Sequence, residues 1–208
     1  MQLSVKNISG KDTGRKISLS EEVFSVDPSD HAIYLDVKLF LAHQRQGTHK
    51  AKEKKEVAFS TKKLKKQKGT GGARAGSRKS PVFVGGGTVF GPRPRTYGFK
   101  LNKKLKVLAR KSALTYKAKE NNILVLEDFK LDTPKTKDYI NILELLSLTG
   151  KKTLFILPEK NANIYLSSRN LQRTKVVTVD ELNTYDLLNA ESLILAEGSI
   201  KKIEDLLV

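Results

Sequence analysis

ILVLEDFKLDTPKTKDYINILELLSLTGKKTLFILP, residues 123–158, changes its hydrophobic period twice. Ile123–Leu126 is an unbroken apolar run of strand length. Thr133-Pro134 then offers an N-cap and a first-turn proline. Tyr139, Ile140, Leu143, Leu146 and Leu148 follow at roughly helical spacing, and Gly150 predicts the helix stop. Thr153–Leu157 is a second apolar run, closed by Pro158. Strand, helix, strand in succession is the sequence pattern of a parallel crossover unit.

Toward the C-terminus the alternation repeats. Asn161–Asn170 predicts a weaker helix, Lys175–Val179 a third strand, and Thr184 the cap of a short helix through Asn189. Ser192–Ala196 is a fourth strand, and Gly198-Ser199 opens a last helix with Ile200, Ile203, Leu206 and Leu207 on its apolar side. The fold class is therefore α/β, a mostly parallel sheet joined by right-handed crossovers with helices on both faces. Toward the N-terminus, Leu3 and Val5 alternate with polar neighbours, as do Ile17 and Leu19, which predicts a small antiparallel pair. Asp27-Pro28 opens a helix with Ile33, Val37, Phe40 and Leu41 on one face. A matching helix begins near Asn102 and carries Leu105, Leu108, Ala109, Ala113 and Tyr116.

These two helices bracket a segment of a different kind. From Leu41 to Lys106 there are 19 Lys+Arg against 2 Asp+Glu, a surplus of 17, which equals the net charge of the whole chain. The rest of the chain is therefore neutral. No Asp or Glu occurs from Val57 to Lys119, and 10 of the 14 glycines lie between Leu41 and Lys106. The large apolar residues from Gly47 to Gly98 are too few to offset the entropy of fixing the segment, so it is expected to take its shape on a polyanion. The expected organisation is an α/β body, residues 1–45 and 102–208, with a long extended basic loop, 46–101, inserted between two helices. A solubility tail would also be basic, but such tails are terminal and this segment is anchored at both ends.

Within the loop, Lys68-Gly69-Thr70-Gly71-Gly72-Ala73-Arg74 has little side-chain bulk between cations and can approach phosphates closely. Val82-Phe83-Val84, Gly85-Gly86-Gly87 and Thr88-Val89-Phe90 predict a small hairpin with a glycine turn; Phe83 and Phe90 offer rings for stacking on unpaired bases, but pinning the two strands together is the preferred reading for both. Gly91-Pro92-Arg93-Pro94-Arg95 predicts an extended course with projecting arginines. Tyr97 offers a ring for unpaired bases. Eight phosphate contacts would make log K fall with log salt with a slope of about −6 to −7.

A Rossmann-like sheet invites a nucleotide enzyme as the rival reading, and the glycines oppose it. The chain has no G-x-x-x-x-G-K-[ST], and Gly69-Thr70-Gly71 fails as G-x-G-x-x-G because Arg74 takes the last place. His31, His43 and His49 have no carboxylate placed for catalysis or metal binding, and the absence of cysteine excludes disulfides and thiolate sites. No catalytic residue, metal site, cofactor or small-molecule substrate is expected. The apolar runs are too short to cross a bilayer, and the chain reads as soluble and cytoplasmic, with no membrane partner. A basic DNA-architectural protein is the third reading.

Arg45-Gln46-Gly47-Thr48, Gln67-Lys68-Gly69-Thr70-Gly71, Ala73-Arg74, Gly76-Ser77, Ser80-Pro81, Gly86-Gly87, Gly91-Pro92-Arg93-Pro94 and Asn102-Lys103-Lys104 closely resemble the bacterial family of the fourth large-subunit ribosomal protein. The likeness spans nearly the full length. It implies a Rossmann-like body on the outside of the large subunit and a loop threaded into its RNA, with a role early in assembly. By that resemblance Arg45, Gln46, Thr48, Lys62, Lys63, Arg74, Ser77, Arg78, Lys79, Arg93, Arg95, Lys103 and Lys104 contact large-subunit rRNA. Lys65, Lys66, Gln67, Lys68, Gly69, Thr70, Gly71 and Gly72 line the narrow point of the peptide exit tunnel. The implied partners are that RNA, the nascent peptide and neighbouring large-subunit proteins. Three places depart from the frequent family pattern: Leu64-Lys65 where Pro-Trp is often found, Gly72 where arginine is common, and Phe83-Val84 in place of Trp-Arg.

Overall fold

Side chains in the four apolar runs toward the C-terminus alternate between two sheet faces. The computed structural model describes residues 1–207 and places these runs in one six-stranded sheet of order β2-β1-β3-β6-β4-β5. The strands are β1 (Gln2–Lys6), β2 (Asp12–Ser18), β3 (Ile123–Leu126), β4 (Thr153–Leu157), β5 (Thr174–Thr178) and β6 (Ser192–Ala196). Only β2 runs antiparallel to its neighbour; β1 pairs parallel with β3, and β6 lies parallel between β3 and β4. The helices are α1 (Glu21–Phe24), α2 (Asp30–His43), α3 (Lys103–Lys119), α4 (Thr136–Leu145), α5 (Ala162–Ser168), α6 (Thr184–Asn189) and α7 (Glu197–Leu207). The chain falls into two units, residues 1–41 with 100–207, and Ala42–Phe99.

The two-residue period of the strands builds two cores in the first unit. On one face Val5, Val125, Leu154, Ile156, Val177, Leu193 and Leu195 pack with Val23 and Phe24 of α1, Ala113 and Leu114 of α3, Leu187 of α6 and Ile203 of α7. On the other, Leu126, Phe155, Leu157, Val176, Ile194 and Ala196 pack with Tyr139, Ile142 and Leu143 of α4 and Ile164 of α5. β4 and β6 are buried at every position, which is why they read as continuous apolar runs. Burial removes water from the Tyr139 phenol and raises its pKa.

Several ends differ from the sequence expectation. α4 starts at Thr136 after Lys135, two residues beyond Thr133-Pro134. It stops before Gly150: Ser147 takes the left-handed conformation (φ 57), its N–H donates to Glu144 O at 2.9 Å and Leu148 N–H donates to Leu143 O at 2.9 Å. This is a Schellman close with serine in the usual glycine place. Asn183, not Thr184, caps α6, its Oδ1 accepting from Asp186 N at 2.7 Å. α2 begins at Asp30 and buries Ala32 and Leu39, whereas Leu41 is exposed. Its first turn is tied to α3 by Tyr116 Oη donating to Asp30 at 2.6 Å, and Phe40 stacks on Tyr185.

Candidate nucleic-acid interface

Between α2 and α3 there is no helix or strand, only an isolated antiparallel bridge between Lys63 and Ser77. A segment so rich in glycine and cations has neither period-2 nor period-3.6 apolar patterning to direct it. In Ala42–Phe99, Gly87 alone is buried. No side chain in the unit therefore sits in a core.

Backbone pairing nonetheless orders two legs. Arg95 N–H donates to Gly47 O at 3.1 Å, Ala51 N–H to Pro92 O at 3.0 Å, and Thr88 N–H to Lys52 O at 2.9 Å. Residues 47–52 thus run opposite to 88–95. Glycines permit this approach: a Cβ on Gly47 would lie 2.1 Å from Arg95 O, and one on Gly87 2.2 Å from Lys54 N. The predicted hairpin at 82–90 does not form. Phe83–Gly86 is a turn, with Gly86 N–H donating to Phe83 O, and Gly86 and Gly87 press against Ser80 and Lys54. Phe83 and Phe90 therefore pin no strands, and Phe90 is fully exposed.

The expected RNA-contacting residues in this unit divide by what they touch. The Arg45 guanidinium lies 3.6 Å from the centroid of Tyr97 and that of Arg95 4.6 Å from it. Arg95 and its charge hold the Tyr97 phenol below its ordinary pKa, and Tyr97 Oη lies 3.2 Å from His49 Nε2. Arg78 sits over Phe59 at 5.4 Å. Ser77 Oγ accepts from Lys79 N–H at 3.2 Å. Lys63 hydrogen-bonds Gln67. Gln46, Thr48, Lys62 and Arg74 are exposed.

Every residue from Lys65 to Gly72 is exposed; Gly69 (φ 79) and Gly71 (φ 64) hold left-handed backbone there. At the departures from the family pattern, Leu64 N–H donates to Gly76 O, and the Lys65 ammonium stands 3.2 Å from where a Gly72 Cβ would be.

The two carboxylates of the unit, which the charge count had left without a role, are both engaged. Glu53 pairs with Arg93 across the legs and Glu56 with Lys50. The Lys50 ammonium, bonded to Glu56, lowers that carboxyl's pKa. The signal for this was available: two lone acids in a cation run have partners within reach. In the other unit, Lys103 and Lys104 stand exposed on the first turn of α3, which carries no acidic residue. Cations at a helix N-terminus oppose the dipole and are tolerated at a cost that an anionic partner would offset.

A cleft of about 890 Å³ opens at the carboxyl ends of β3, β4 and β6, where α/β sheets often hold ligands. Asp128 occupies its anion-attracting corner, accepting from Gly198 N–H at 3.0 and 3.2 Å. Lys202 is taken by Pro158 O and Glu159. A phosphate there would have to displace a carboxylate. Among the described residues no group of three or more His, Cys, Asp or Glu is placed to hold a metal ion, and no helix is long and apolar enough to cross a membrane.

The family model described as the ribosomal protein L4/L1 family matches residues 17–206. The chain belongs to the ribosomal protein L4/L1 family. Relatives named "Large ribosomal subunit protein uL4" agree over full length. That of Cytophaga hutchinsonii is 69% identical over 207 residues, covering 100% of both chains. That of Flavobacterium johnsoniae is 62% identical, covering 99% of this chain and 98% of its own. That of Bacteroides fragilis is 56% identical, covering 100% of both. As a member of the L4/L1 family the chain couples a mostly parallel α/β sheet to a cation-rich unit that buries almost nothing.

Proposed function

We propose that the chain is a structural, non-catalytic constituent of the large ribosomal subunit in the cytoplasm, and that it binds large-subunit rRNA through its basic loop. The Rossmann-like body, residues 1–45 and 102–208, serves as the folded anchor. The extended loop, 46–101, enters the RNA. The observation that carries this reading is the character of Ala42–Phe99: 15 Lys+Arg, two carboxylates both ion-paired, and one buried residue, a glycine. Such a unit has a large unneutralised charge and no core of its own, which is what a polyanion-ordered segment requires. The large-subunit names of full-length relatives support the same assignment.

In this reading Arg45, Gln46, Thr48, Lys62, Lys63, Arg74, Ser77, Arg78, Lys79, Arg93, Arg95, Lys103 and Lys104 contact RNA, arginines as bidentate forks and lysines as point charges. Lys65–Gly72 lies at the exit-tunnel wall beside the nascent peptide, and the body meets neighbouring large-subunit proteins. A photo-crosslinking residue at Thr70 tests the placement. In translating ribosomes it should label both rRNA and nascent peptide, whereas the same group at exposed Tyr165 should label neither the peptide nor tunnel RNA. Equal labelling of the peptide from both positions would remove the loop from the tunnel.

A further inference from the structure

Phe90 is the exception among the aromatic side chains of Ala42–Phe99. Phe59 lies under Arg78, Tyr97 has two arginines against its ring, Phe83 is half-buried, and Phe99 is only 37% exposed. Phe90 is 103% exposed.

The backbone explains how it comes to be displayed. Ala51 and Lys52 are adjacent, yet their partners on the opposite leg, Pro92 and Thr88, are four residues apart. Val89, Phe90 and Gly91 are the surplus and must bulge, and a bulge re-aims the side chain at its apex. Gly91 tightens it, since a Cβ there would lie 2.5 Å from Ala51 Cβ. Phe90 itself sits at φ 55. The other non-glycine residues with positive φ have structural reasons: Asn121 and Ser147 follow helix ends and Arg173 leads into β5. Phe90 ends no helix and starts no strand. A strained backbone therefore holds a bare aromatic ring in water, with Arg93 and Lys52 on the legs that pin it.

We propose that Phe90 is a base-stacking residue, its ring presented by the pinned bulge to a single unpaired nucleobase of the bound RNA. An apolar ring on a cation-rich surface, whose neighbouring carboxylates Glu53 and Glu56 are already paired with Arg93 and Lys50, fits a nucleobase, whose faces are apolar while its backbone is anionic. This deepens the RNA-binding reading and rests on it.

The test is binding of the full-length chain to in vitro transcribed large-subunit RNA. Phe90→Ala should weaken binding about 5- to 150-fold without changing the salt slope, because stacking is lost and no charge is. Phe90→Tyr and Phe90→Trp should stay within about 3-fold of the parent, and Phe90→Leu should behave like the alanine variant. The chain has no tryptophan, so Phe90→Trp supplies a unique fluorophore whose emission should be quenched on binding. Parent-like binding by Phe90→Ala, or leucine substituting as well as tryptophan, overturns the stacking role and leaves RNA binding intact. A parent chain that does not bind the RNA overturns both.

Discussion

The guanidinium of Arg45 lies 3.6 Å from the ring centroid of Tyr97, and Arg95 approaches the same ring at 4.6 Å. Arg45 lies just before one leg of the basic unit, Arg95 ends the other, and Tyr97 follows it. Together with the Arg95 N–H bond to Gly47 O, the aromatic ring closes the base of the paired legs. Tyr97→Ala should therefore speed hydrogen exchange of the Arg95 amide severalfold and weaken RNA binding, with the sheet unaffected. Tyr97→Phe keeps the ring and should leave both nearly unchanged.

The same cluster predicts an order of phenol ionisation. Arg95 lowers the pKa of Tyr97, the hydrogen bond to Asp30 raises that of Tyr116, and burial raises that of Tyr139. In an alkaline titration followed by phenolate absorbance, Tyr97→Phe should remove the earliest phase and Tyr116→Phe a late one. Because the folded pKa of Tyr116 is above its unfolded value near 10.0, its contribution to stability is full below that value. It is lost as pH rises through the folded pKa.

Two glycines with the same φ of +76 separate strain from contact. A Cβ on Gly10 would lie 2.4 Å from the carbonyl oxygen of Leu145, while one on Gly14 meets nothing within 4 Å. Gly14→Ala should cost about 1–2 kcal/mol, the left-handed penalty alone. Gly10→Ala should cost more by at least about 1 kcal/mol, since the α4 end must move. Denaturant unfolding of the two variants compares them directly.

Charge removal in the basic unit should act on binding and not on folding. Lys62, Lys63, Arg74 and Arg78 touch no core, so the quadruple glutamine variant should unfold with the parent midpoint. Its salt slope for RNA should shrink by about 0.7–0.9 for each lost phosphate contact. By contrast, Ile156→Ala, at a fully buried position, should cost about 2–5 kcal/mol.

The body was legible because its physics is local and periodic. Val125, Ile156 and Leu195 lie in runs whose length and alternation permit little else. The close of α4 at Ser147 was not, because serine adopts left-handed backbone only when two carbonyls and the packing of Leu148 reward it. The false hairpin at Val82–Phe90 shows the opposite limit. Its glycines match a turn template, yet Gly86 and Gly87 are there to let the backbones of Ser80 and Lys54 come close, a long-range fact that no window of sequence contains. The charge surplus pointed to an anionic partner, but the pairing of Glu53 with Arg93 and the bulge at Phe90 depend on leg register.

Hydrogen exchange of the full-length chain, free and bound to large-subunit RNA, tests the central claim most directly. In the free protein, amides at Val125, Ile156 and Leu195 should be strongly protected and those from Lys62 to Arg74 almost unprotected. RNA should slow exchange across that stretch and leave the sheet amides as they were. Exchange from Lys62 to Arg74 that is already slow without RNA, or unchanged by it, would contradict the account.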